Sequence, residues 1–147
     1  MPTELFSPLM TAREVRLKTP LALAYVGDTV WDLLVRRSLL RSGEKAGTLH
    51  RRAVQLVNAA AQARASREIE PYLTEEERDV LRRGENAHAK HAVPKNQSPE
   101  DYSRATGLEA LMGYLYLSGQ MERIGECRFV KHIGQRTQWG KANGGVS

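Results

Sequence analysis

Along most of this chain apolar residues recur at helical spacing, and nowhere do they alternate with polar ones as a half-buried strand requires. The densest stretch is Leu21-Ala22-Leu23-Ala24-Tyr25-Val26-Gly27-Asp28-Thr29-Val30-Trp31-Asp32-Leu33-Leu34. Pro20 suits the first turn of a helix, where its missing N–H costs nothing. Leu23, Val26, Val30, Leu33, Leu34 and Leu40 cover more than one face, which predicts a central helix from Leu21 to about Arg41, ended by Ser42-Gly43. Before it, Thr11-Ala12-Arg13-Glu14-Val15 predicts a short helix. A second long helix is expected from Thr48 to about Glu70, where Ala59 to Ala61, Ala63 and Ala65 allow close packing. Pro71-Tyr72-Leu73 interrupts the pattern. Thr74 and Glu77 then stand at capping-box spacing and open a helix to about Ala87. Ser98-Pro99-Glu100-Asp101 is another start signal, with a cap, a proline at the first position and acids in the first turn. That helix runs to about Leu117 and stops at Ser118-Gly119, and a last helix is expected over roughly Met121 to Gln135. The pattern predicts an all-α protein of about five to seven helices, one domain over residues 1–136 and a flexible tail over 137–147.

Composition narrows the class. At 147 residues with 41% hydrophobic content, the chain is long enough for one sizeable core. It lacks a run of about 18 apolar residues, so no membrane span is expected. Met1-Pro2-Thr3-Glu4 does not begin a secretory signal, and Cys127, the sole cysteine, has no internal disulfide partner. These features point to a soluble protein in a reducing compartment. A formal net charge of +5 and a pI of about 9.6 favour a polyanionic partner.

Two acids interrupt the apolar helices. Asp28 lies mid-helix beside Gly27, whose missing β-carbon permits close approach of another backbone or a ligand. A buried carboxylate is costly unless paired or bound to a cation, so Asp28 either points into a cleft or meets an internal arginine. Glu109 lies in Ala105-Thr106-Gly107-Leu108-Glu109-Ala110-Leu111-Met112-Gly113-Tyr114-Leu115-Tyr116-Leu117, at the edge of a stripe made by Leu108, Leu111, Met112 and Leu115. If the two helices pack, the acids can meet, and two close carboxylates repel unless they share a proton or a cation. Oxygen-only ligands suit Mg²⁺. Asp32, one turn after Asp28, is either a further ligand or a surface acid. Arg82, Arg83, Asn86, Lys90, Lys95 and Asn96 make the segment from Arg82 to Gln97 a candidate phosphate-binding loop, or simply a solvated one. His88 and His91 lack further ligands at zinc spacing and read as loop residues, and Cys127 reads as a packed thiol.

The stretch from Leu23 to Val30 resembles the signature of the ribonuclease III catalytic domain, and Thr106 to Leu117 resembles that family's second motif. Arg83-Gly84-Glu85-Asn86-Ala87 followed by Pro94-Lys95-Asn96 resembles the loop of its Mini-ribonuclease III branch, which lacks a double-stranded-RNA-binding domain. The resemblance spans at least Leu21 to Gly119. It implies a homodimeric, all-helical endoribonuclease that cuts double-stranded RNA and leaves 5′-phosphates. Its cofactor would be Mg²⁺, with Mn²⁺ able to substitute. It implies that Asp28 and Glu109 are catalytic and metal-binding, with Asp32 a further candidate ligand. It also implies maturation of the 23S ribosomal RNA precursor, in a bacterial cytoplasm or a plastid stroma. Larger family members have four site acids, and here Ala24 and Thr106 stand at two of those positions, as is usual in the branch. Glu85 stands where the branch has a basic residue. A non-catalytic RNA-binding or ribosome-associated protein on the same fold is the alternative. A small basic DNA-binding regulator is a third possibility, without a helix-turn-helix signal to support it.

Overall fold

The computed structural model describes residues 7, 10–40, 43–87 and 95–126. In chain order these form α1 (Ala12–Arg16), α2 (Pro20–Leu40), α3 (Ala46–Val57), α4 (Ala59–Ile69), a 3₁₀ turn (Glu70–Tyr72), α5 (Glu75–Ala87), α6 (Pro99–Leu117) and α7 (Met121–Glu126). There is no strand among the described residues, so the protein has the all-α architecture its periodicity predicts.

Helix starts follow local chemistry. Thr11 and Glu14 form a reciprocal capping box on α1. Thr74 and Glu77 do the same on α5: the Thr74 N–H donates to Glu77 Oε1 at 2.8 Å and the Glu77 N–H to Thr74 Oγ1 at 3.2 Å. Ser98 caps α6 with Pro99 at its first position. Gly43 after α2 and Gly119 after α6 both have positive φ, 71° and 76°, the left-handed conformation that glycine adopts freely.

Three expectations need correction. The predicted helix from Thr48 to Glu70 is two helices. Asn58, at φ −76° and ψ 161°, leaves the helical region and caps α4, its Oδ1 accepting from the Ala61 N–H at 2.9 Å. Asparagine competes for backbone hydrogen bonds in this way wherever a cap position can form. Second, the predicted loop from Arg82 onward begins too early, because Arg82 to Ala87 are the last turns of α5. Third, α2 is not the centre. Leu108, Ala110, Leu111, Met112 and Leu115 of α6 are fully buried, and α6 packs against α2, α4 and α5. α2 covers one side of it, burying Leu23, Val30, Trp31, Val35 and Leu39, while Tyr25 is 83% exposed.

Two polar ties fix the periphery. Trp31 Nε1 donates to the Leu56 carbonyl at 3.1 Å and joins α2 to α3. Glu77 is buried and receives Arg123 of α7 through bonds of 2.7 and 2.8 Å. Burial alone raises the Glu77 pKa, but the Arg123 guanidinium and Thr74 outweigh it and hold the carboxyl below its ordinary value. His88, Lys90, His91, Pro94, Cys127, the expected helix beyond Glu126 and the tail over 137–147 lie outside the described residues.

Candidate active site

α2 and α6 cross with their backbones in contact. A β-carbon at Gly27 would overlap the Glu109 carbonyl oxygen, and one at Gly113 would overlap the Leu23 carbonyl oxygen. Two glycines, one on each helix, therefore permit a crossing closer than side chains allow. Asp28 follows Gly27, and Glu109 lies one turn before Gly113, so this contact sets the two acids side by side.

Their environments differ. Asp28 is exposed, so of its two expected settings the internal one, facing a buried arginine, does not apply. Glu109 is the more enclosed of the two, and its pKa is pushed from 4.5 up to about 7. Burial is the larger cause and the negative charge of Asp28 the second, while the Gln62 side chain on α4 works in the opposite direction. A carboxylate pair in which one member is held near neutrality by burial and repulsion is relieved by a proton or a cation. The oxygen donors suit a hard divalent ion that keeps several waters and takes one or two protein carboxylates. Among the described residues no group of three or more His, Cys, Asp or Glu side chains gathers around such a centre.

The other predicted residues are dispersed. Asp32 is half-buried and its carboxylate is held by Arg36 at 3.1 Å. Ala24 and Thr106, at the positions where larger family members have acids, are buried, and the Thr106 hydroxyl donates to the Tyr102 carbonyl. Arg82 is exposed and pairs with Asp79 at 2.6 Å. Arg83 is half-buried and donates to the Arg16 carbonyl at 2.9 Å, so part of its role is to tie α5 to the end of α1. Asn86, Lys95 and Asn96 are exposed, and Asn96 adopts φ 70°. Glu85 turns inward over Gly107, where burial raises its pKa, so it does not sit on the basic surface.

One neighbour of the pair escaped sequence reasoning. Gln62 is buried beside Glu109. Its signal was available: a long polar side chain on the otherwise alanine-rich, inward stripe of α4.

The ribonuclease III domain model matches residues 21–120, which contain both acids, both crossing glycines and Gln62. The chain belongs to the ribonuclease III family, a family of endoribonucleases. It resembles in particular the Mini-ribonuclease 3 of Symbiobacterium thermophilum, 49% identical over 108 residues that cover 73% of this chain and 82% of that protein. The Mini-ribonuclease 3 of a Thermoanaerobacter species is 40% identical over 117 residues, covering 79% and 82%. These relatives put the chain in the Mini-ribonuclease 3 branch. A crystal structure of a Fusobacterium nucleatum protein superposes with a TM-score of 0.73 at 30% identity, covering 83% of this chain and 98% of that one.

Proposed function

We propose that this protein is a Mg²⁺-dependent endoribonuclease that cleaves double-stranded RNA and leaves 5′-phosphates, acting in maturation of the 23S ribosomal RNA precursor. The observation that carries the proposal is the meeting of Asp28 and Glu109 at the glycine crossing of α2 and α6. Asp28 and Glu109 would hold the cation. When bound, Mg²⁺ supplies charge neutralisation at a phosphodiester and makes a water more acidic. Glu109, enclosed and beside Asp28, offers a full carboxylate only once its proton is displaced. Asp28 stands at the exposed edge, where a duplex backbone can reach it. Asp32, held by Arg36, is a candidate for an outer role.

A-form RNA presents phosphates and 2′-hydroxyls across a shallow minor groove, so recognition is of shape rather than sequence. Arg82, Asn86, Lys95 and Asn96 are exposed and suited to backbone contact, with Arg83 and Lys90 completing the basic segment. The proposed assembly is a homodimer, which brings two sites to opposite strands of one duplex. Its support is apolar surface on and beside α2: Leu17, Tyr25 and Leu33 are 80%, 83% and 56% exposed. Exposed apolar side chains of this kind suit an interface with a second copy. A bacterial cytoplasm or a plastid stroma is the proposed location.

The test is cleavage of a long duplex RNA by the native chain and by Asp28→Asn, each with Mg²⁺ and with chelator. Cleavage by the native chain alone, and only with Mg²⁺, is the expected result. Equal cleavage by Asp28→Asn overturns the site assignment. Duplex binding without cleavage under every divalent metal supports the non-catalytic alternative.

A further inference from the structure

Gln62 reaches the acid pair from a third helix. It lies on α4, whose small residues Ala61, Ala63 and Ala65 pack inward, and it is only 2% exposed. Burying a primary amide is costly unless its polar atoms are satisfied, so its presence on an alanine face calls for a reason. Its side chain lies against the Glu109 carboxyl group and favours the charged form, yet Nε2 makes no full hydrogen bond to any described residue. The amide is thus buried, next to the acid, with donor capacity to spare.

We propose that Gln62 is a positioning residue whose amide N–H closes onto the Glu109 carboxylate and holds it facing Asp28 when a divalent cation enters. The inference rests on the reading of Asp28 and Glu109 as the metal-binding pair. Its physical basis is the placement of the amide: Gln62 is buried on α4 with an unpartnered Nε2, and an N–H bond to a carboxylate is roughly twice as strong as one between neutral groups. Such a bond fixes the orientation of the carboxylate, so less freedom is lost when a cation is held and the loaded state is favoured. Hydrogen-bonding partners of metal-ligating carboxylates act in this way, and losing one typically weakens metal affinity or activity about 10- to 100-fold.

The experiment compares the full-length native chain with Gln62→Met, an unbranched replacement of similar length that lacks the amide. Asp28→Asn and Ser66→Ala serve as controls. Ser66 is buried one turn further along α4, and its Oγ also lacks a partner among the described residues. Mg²⁺ is titrated with two readouts: thermal unfolding without RNA, and duplex cleavage. The expected result is that Gln62→Met needs about 10- to 100-fold more Mg²⁺ for half-maximal stabilisation and half-maximal cleavage, with excess Mg²⁺ restoring turnover. Ser66→Ala should match the native chain. A Gln62→Met protein that melts earlier but has the native Mg²⁺ requirement overturns the proposal, because the amide then only fills space. Should Gln62→Met not fold, Gln62→Leu carries the same two outcomes. Failure of the underlying reading is seen separately: the native chain would then show no Mg²⁺ stabilisation that Asp28→Asn abolishes, and the proposal falls with it.

Discussion

Replacing Glu109 by glutamine should abolish cleavage and, above neutral pH, make the protein more stable. In the folded chain the Glu109 pKa stands at about 7 instead of 4.5, because burial and the Asp28 charge both disfavour ionisation. Between those values the unfolded chain loses a proton that the folded chain keeps. Stability from this group is therefore intact below about pH 4.5, falls as the pH rises to about 7, and is level beyond. At about 1.4 kcal/mol per pKa unit, the loss is bounded at about 3 kcal/mol. Partial solvent access and screening bring the expected value to about 1–2 kcal/mol. Glutamine is nearly isosteric and carries no charge, so it removes this cost while keeping the packing. The assay is urea unfolding of the native chain and Glu109→Gln in metal-free buffer, near pH 5 and near pH 8. The variant should gain about 1–2 kcal/mol on the native chain between the two conditions, and Mg²⁺ should stabilise only the native chain. A stability difference that does not change with pH would refute the reasoning.

Other consequences are as direct. Gly27→Ala places a β-carbon on the Glu109 carbonyl and should cost at least about 3 kcal/mol, measured as a lowered unfolding midpoint, with loss of cleavage. Gly125→Ala on α7, where no described residue lies within 4 Å, should be neutral or slightly stabilising in the same measurement. Arg123→Met leaves the Glu77 carboxylate buried without its partner and should cost about 3–5 kcal/mol by denaturant unfolding near neutral pH. Because the Glu77 pKa is lowered, the stability it confers is present above 4.5 and is lost as the pH falls through the lowered value, so the gap between native and variant should close in acid. Lys95→Ala should weaken duplex RNA binding and reduce the slope of log affinity against log salt by about one. An unchanged slope would mean that Lys95 does not contact phosphate.

The sequence by itself determined most of the helices and several of their ends. Capping boxes at Thr11 and Thr74, the Ser98-Pro99 start, and glycines after α2 and α6 are local devices that act within a few residues, and each appears where its chemistry predicts. The same is true of the motif residues that mark the family. Asn58 was legible in principle, but a long apolar run conceals a single capping residue. Tertiary structure alone decided which helix is central, which acid is enclosed, and what Gln62 does. Both α2 and α6 are apolar on more than one face, and periodicity cannot say which of two such helices is surrounded, because burial depends on all the others. Asp28 and Glu109 look alike as lone acids beside glycines. Only the crossing at Gly27 and Gly113 leaves the first at the edge and pushes the second toward neutrality, since desolvation and repulsion are properties of a three-dimensional neighbourhood.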